Sequence, residues 1–256
     1  MAKRKKTIIA GPLVKTILYT APEPNDTPRV RAVKSRMTTA AQKAMNDKAA
    51  CAKLEMLLAA NFTGRDLFLT LTYDNTHLPR NRREARTMIR KLWKQVRAYR
   101  KARGQALKYI YNTEDKHGEG RLHHHVILNA TERDIDVIRS LWPYGAIDIA
   151  YLGDREWEDW AGYLTKERDD RPVGAQLWTG SRNLEKPKVY MSYVSNDETL
   201  TVPHGCHIIE REEKITEHGS YCYIKYRIQP RYNQREAAPK IEAGPPWDTS
   251  PLLSGL

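Results

Sequence analysis

Leu107–Asn129, LKYIYNTEDKHGEGRLHHHVILN, is the stretch on which the fold turns. Leu107–Glu114 is dense in aromatic and β-branched residues and reads as a strand. His117-Gly-Glu-Gly120 is turn chemistry, and Arg121–Asn129 resumes as a second strand, so the two form a hairpin. Upstream, Ala85, Met88, Ile89, Leu92, Trp93, Val96 and Tyr99 recur at helical spacing between Arg82 and Lys101. Before that helix, Leu67–Tyr73 alternates as a strand. Downstream, Thr131–Trp142 reads as a helix with Thr131 as N-cap, Ala146–Tyr151 as a strand, and Asp154–Glu167 as a helix. The order β-α-β-β-α-β is the split, ferredoxin-like arrangement, an α+β fold with an antiparallel sheet and helices on one face.

Outside this core, Thr38–Asn61 is Ala- and Leu-rich, with no Gly or Pro, and predicts an N-terminal helix within residues 37–66. Residues 1–36, rich in Pro, Thr and basic side chains, read as a basic extended arm. The core occupies 67–170. In 171–230 the pattern weakens, but Cys206–Arg211 and Tyr221–Ile228 flank Glu217–Ser220 as a hairpin that would extend the sheet. Residues 231–256 have several Pro and Gly and no periodicity, the composition of a disordered tail.

Composition excludes several classes. The 256 residues carry a net charge of +12. No apolar run approaches the ~20 residues that span a bilayer, and no secretory leader follows the basic start. Three scattered cysteines, Cys51, Cys206 and Cys222, give neither a disulfide framework nor a C-x-x-C zinc pair. The expectation is a cytoplasmic protein with a polyanionic partner and no membrane association. Its charge is concentrated: Arg80–Lys108 holds 12 basic residues and one acid. Arg90, Lys94, Arg97 and Lys101 on that helix are candidate DNA contacts.

The chemistry centres on His123-His-His125. Side chains alternate along a strand, so His123 and His125 share a face with Arg121 and Ile127, whereas His124 points the other way with Leu122 and Val126. Two imidazoles at i, i+2 suit one divalent cation. Glu114, near the end of the neighbouring strand, is the candidate third ligand, and the set suits Mg²⁺ or Mn²⁺ holding a phosphate oxygen. Ordinary hydrogen bonding on a sheet surface would account for the histidines equally well. Tyr163 sits at the margin of an apolar helix stripe, with Lys166 three residues on. A phenol attacks phosphate only when a cation or base assists it.

Leu67–Asp74 (LFLTLTYD), Gly120–Leu128 (GRLHHHVIL) and Ala161–Lys166 (AGYLTK) resemble, in order and spacing, the three motifs of the HUH endonucleases. More narrowly they resemble the rolling-circle replication initiators of small phages and plasmids. The resemblance covers roughly residues 38–190. It implies a five-stranded, RRM-like sheet with His123 and His125 as metal ligands, Glu114 as the third, Tyr163 as nucleophile and Lys166 as its accompanying lysine. It further implies nicking of single-stranded origin DNA through a 5′-phosphotyrosyl link, with host helicase and polymerase as candidate partners and an oligomer as an option. Two departures stand out. His124 replaces a hydrophobic residue between the two histidines, and positions 159 and 167 are Asp and Glu, so the helix carries a single tyrosine. Arg121 is a candidate flanking-phosphate contact. The alternatives are a single-tyrosine transposase or relaxase, a non-catalytic single-strand-binding module, and a structural metal protein.

Overall fold

The computed structural model describes residues 2–21, 40–115, 120–166, 176–216 and 219–228. Its α+β class is the one the element order predicts, built as two five-stranded antiparallel sheets and four helices among the described residues.

The core sheet comprises β3 (Leu67–Leu71), β4 (Tyr109–Glu114), β5 (His123–Leu128), β6 (Ile147–Tyr151) and the two-residue β7 (Thr179–Gly180), in the order β6-β3-β5-β4-β7. The first four strands give the split order expected of βαββαβ, and β7 adds an edge beside β4.

Helices cover both faces, not one as the sequence suggests. On one face Leu67, Leu69, Leu71, Tyr111 and Val126 pack against α2 (Arg82–Lys101) and α3 (Asp134–Leu141) through Ile89, Trp93 and Ile138. On the other, Phe68, Ile110 and Ile127 pack against α1 (Ala40–Asn61) and α4 (Trp157–Leu164) through Leu58, Trp160 and Leu164. The reason lies in the strands themselves. All six residues of β4 are buried, and β3 reads Leu-Phe-Leu, so neither face can be left to water.

The second sheet runs β8-β1-β2-β10-β9. Its strands are β1 (Ala2–Ala10), β2 (Leu13–Ala21), β8 (Lys188–Val194), β9 (Cys206–Thr216) and β10 (Gly219–Ile228). This corrects two expectations. Residues 2–21 are not an extended arm but a hairpin at the middle of a sheet. The β9–β10 hairpin forms as expected, yet joins this sheet and does not extend the core. Both ends of the chain therefore build one unit, and no local signal reports such pairing across some 200 residues. At the β1–β2 turn Gly11 has φ 56°, and a Cβ there would stand 2.4 Å from the Ala59 carbonyl oxygen. Glycine lets the hairpin close onto α1, so Ala10 and Leu13 join Leu54 and Leu58 in one core.

Helix α3 starts at Asp134, later than expected, and Thr131 does not cap it; the Asp134 carboxylate instead accepts from the Thr131 amide. Most of the His117–Gly120 turn, half of Glu217–Ser220 and the whole 231–256 tail lie outside the described residues. Among those described, no helix is long and apolar enough to cross a membrane.

Candidate active site

Every group in the site comes from the α1/α4 face of the core sheet. Thr70 on β3, Asn112 and Glu114 on β4, and His123 and His125 on β5 all share it, because their registers place His125 opposite both Thr70 and Asn112, and His123 opposite Glu114. Helix α4 lies across this face through Trp157, Trp160 and Leu164 and brings Tyr163 over the histidines.

The ligand atoms of Glu114, His123 and His125 lie within 4.8 Å of one another. Glu114 Oε2 stands 3.6 Å from His123 Nε2 and 3.4 Å from His125 Nε2, and the two Nε2 atoms are 3.1 Å apart. The second nitrogen of each ring is occupied: His123 Nδ1 donates to the Arg121 carbonyl at 3.0 Å, and His125 Nδ1 meets Thr70 Oγ1 at 3.2 Å. Such partners set the tautomer and turn the Nε2 lone pairs to the centre. Burial lowers the His125 pKa despite the charge of Glu114 and keeps the ring neutral, as a metal ligand must be. Burial alone would raise Glu114, but hydrogen bonds from His123, His125 and Lys166 outweigh it and hold the carboxyl well below the usual carboxylate range. An ionised carboxylate with two neutral imidazoles fits a small divalent cation.

His124 is not a competing ligand. It is fully buried on the opposite face, with Tyr73 Oη at 2.6 Å from Nε2 and Thr113 Oγ1 at 2.9 Å from Nδ1. Burial lowers its pKa to about 3. The polar partners answer the question of how histidine replaces an apolar residue there: both ring nitrogens are satisfied.

The Tyr163 hydroxyl lies 3.1 Å from His125 Nε2. Lys166, just past the end of α4, puts its Nζ 2.9 Å from Glu114 Oε2 and 4.0 Å from the centre of the Tyr163 ring. Burial raises the phenol's pKa in spite of the Lys166 charge. Burial would lower Lys166, yet its hydrogen bond and ion pair with Glu114 prevail and raise it. At neutral pH the tyrosine is protonated and the lysine charged.

Sequence reasoning overlooked Asn112. Its Nδ2 donates to Glu114 Oε1 at 2.6 Å and to the Leu164 carbonyl at 2.9 Å, joining the carboxylate to the last turn of α4. Its place two residues before Glu114, on the same strand face, was the available signal.

The expected DNA contacts fall elsewhere. Arg90, Lys94, Arg97 and Lys101 are exposed, but on α2, which covers the opposite face from the triad. Arg121 donates to Asn75 Oδ1 at 2.5 Å and to the Tyr73 carbonyl at 2.7 Å, so its guanidinium braces the loop after β3. Arg100, one of the 12 basic residues of that block, is wholly buried; it pairs with Asp134 at 2.6 Å and donates to Asn129 Oδ1 and the Ala106 carbonyl. Closer to the triad is a groove beside the end of β4, lined by Arg80, Arg82, Arg83 and Asp115.

Residues 66–168 match the family model of the replication-associated protein ORF2/gene 2 protein. The matched segment runs from the start of β3 through α4 and holds Glu114, His123, His125, Tyr163 and Lys166. Its similarity to these replication-associated proteins supports a part in starting DNA replication. No curated protein and no solved structure matches the chain.

Proposed function

We propose that the chain is a metal-dependent nickase and strand transferase that opens single-stranded DNA at a replication origin and starts rolling-circle synthesis. The observation that carries this reading is the position of the Tyr163 hydroxyl, 3.1 Å from His125 in a site where three metal-binding side chains converge. The Tyr163 oxygen attacks the scissile phosphorus and its proton leaves to solvent. The Oη–P bond forms as the P–O3′ bond breaks, and the departing oxygen takes a proton to become the priming 3′-OH. The 5′ end stays on the enzyme as a phosphotyrosine.

Glu114, His123 and His125 would hold Mg²⁺ or Mn²⁺, which when bound neutralises charge building on the phosphate oxygens. Lys166, charged and over the ring, favours the phenolate and stabilises charge at the attacked phosphate. Asn112 holds Glu114 and α4 in one register, so the nucleophile and the ligands keep their distance. Arg80 and Arg83, exposed along the groove beside β4, suit phosphates of the entering strand. Arg90, Lys94, Arg97 and Lys101 suit a flanking segment that wraps behind the sheet. The same five central residues would serve a transposase or relaxase; the match of 66–168 to a replication-associated model supports the initiator. With one tyrosine on α4, the second transfer that ends a round falls to another protomer or to the new 3′-OH.

The test is a covalent-adduct gel with Mn²⁺ and labelled single-stranded DNA tiled across the element that encodes the protein. A band that survives SDS, and is lost with EDTA or in Tyr163→Phe, is expected. Tight binding with no such band on any segment would overturn the reading in favour of a binding module.

A further inference from the structure

The second sheet carries a row of side chains that the nicking chemistry does not use. The registers place Tyr193 of β8 opposite Arg4 of β1, Arg4 opposite Tyr19 of β2, Tyr19 opposite Tyr221 of β10, and Tyr221 opposite Lys214 of β9. Directly opposed residues in antiparallel strands project from the same face. The five therefore form one line across the sheet, Tyr-Arg-Tyr-Tyr-Lys, roughly 19 Å long at about 4.8 Å per strand. Tyr193 is 45% exposed and Tyr221 36%, and Tyr19 is half-buried between them. The Arg4 guanidinium lies 4.9 Å from the centre of the Tyr193 ring.

The neighbouring row holds Met191, Lys6, Ile17, Tyr223 and Glu212. Glu212 is taken up by Lys214 at 2.6 Å, which leaves Arg4 and Lys6 as the cations of this face. Two residues further along the strands the face is no longer open: Lys225 is buried there, bonded to Glu55 of α1 at 3.1 Å and Glu158 of α4 at 2.6 Å. The open aromatic row and the closed ionic row thus divide one surface. The latter fastens the sheet to the helix that bears Tyr163.

We propose that the row Tyr193–Arg4–Tyr19–Tyr221–Lys214 is a second nucleic-acid site, a stacking platform for a short run of unpaired nucleotides. Tyrosine rings spaced across a sheet offer π-faces that any base can cover, and the interleaved Arg and Lys suit the phosphates between them. A duplex keeps its base faces stacked inside and gives such rings nothing to cover, so the occupant is single-stranded. The site adds to the groove at Glu114 and does not depend on the nicking reading: it would hold strand away from the scissile phosphate, on the sheet that braces α4.

The test measures anisotropy of a fluorescent oligodeoxythymidine of about 24 nucleotides against the full chain in EDTA, where nicking cannot contribute. Tyr19→Ala/Tyr221→Ala should weaken binding at least about tenfold, and Tyr193→Ala at least about fivefold. Tyr19→Phe/Tyr221→Phe, which keeps the rings, should stay within twofold of the parent, and Tyr163→Phe should bind as the parent does. Circular dichroism and thermal melting confirm that the alanine variants are folded; should they not be, Arg4→Gln, expected to lose at least threefold, takes their place. Binding unchanged within twofold in the folded alanine variants would overturn the platform. So would a dimer-to-monomer change in sedimentation on Tyr193→Ala with affinity intact, which would make this face a contact between copies. Loss of the SDS-stable adduct reading alone would leave these binding results untouched.

Discussion

Asn112 Nδ2 stands 2.6 Å from Glu114 Oε1, and the same nitrogen reaches the Leu164 carbonyl at 2.9 Å. One buried amide thus joins the carboxylate of the ligand triad to the helix that carries Tyr163. Supporting hydrogen bonds of this kind orient ligands, and losing one typically lowers metal affinity or activity by about 10–100-fold.

Asn112→Ala is accordingly expected to raise the Mn²⁺ concentration for half-maximal adduct formation by at least about tenfold. Its saturating rate should fall too, because α4 is no longer tied to Glu114. A metal titration of single-turnover nicking separates the two effects. A variant that matches the parent in both would show that the amide is packing only.

His124 predicts an acid-sensitive core. Its folded pKa of about 3 lies below the ordinary value of 6.5, so between these limits the unfolded chain binds the proton and the folded one does not. Stability therefore rises with pH across the window and is lost as pH falls from about 6.5 toward 3, by roughly 1.4 kcal/mol per unit. Urea unfolding in EDTA should show a loss of about 2 kcal/mol from this group between about pH 6.5 and 5. In His124→Met the pH dependence should shrink by that amount, whatever the change in absolute stability.

Arg100 and Arg97 look alike in the sequence and should behave oppositely. Arg100→Met leaves Asp134 charged, buried and without its partner, and is expected to destabilise the protein by about 3–5 kcal/mol. Arg97→Ala, on the exposed side of α2, should change stability by no more than about 0.5 kcal/mol. Paired thermal melts measure both.

The exposed face of α2 predicts a dependence on strand length. Replacing Arg90, Lys94, Arg97 and Lys101 together by Gln should lower the salt slope of long single-stranded DNA binding by about 0.7 for each phosphate these side chains cease to neutralise. An oligonucleotide of about eight nucleotides, spanning only the cleavage groove, should bind the variant and the parent equally. Equal losses with both lengths would contradict the placement of α2 behind the sheet.

What was legible in the sequence is what depends on neighbours along the chain. Strand alternation alone separates His123 and His125 from His124, and β4 and β5 are close enough in sequence for a hairpin to put Glu114 opposite His123. The apolar stripes of α2 and α4 likewise follow from helical period, and with them the margin position of Tyr163. Tertiary structure decided the rest. Whether a basic residue on α2 meets water or an aspartate depended on where α3 begins, and Arg100 proved to be core. Lys3–Lys6 has the charge of a tail, yet it pairs with β2 and with β8, nearly 200 residues away. Local propensity sets the period of each segment; the burial of a side chain and the partner of a strand are settled only when distant segments exclude the same water.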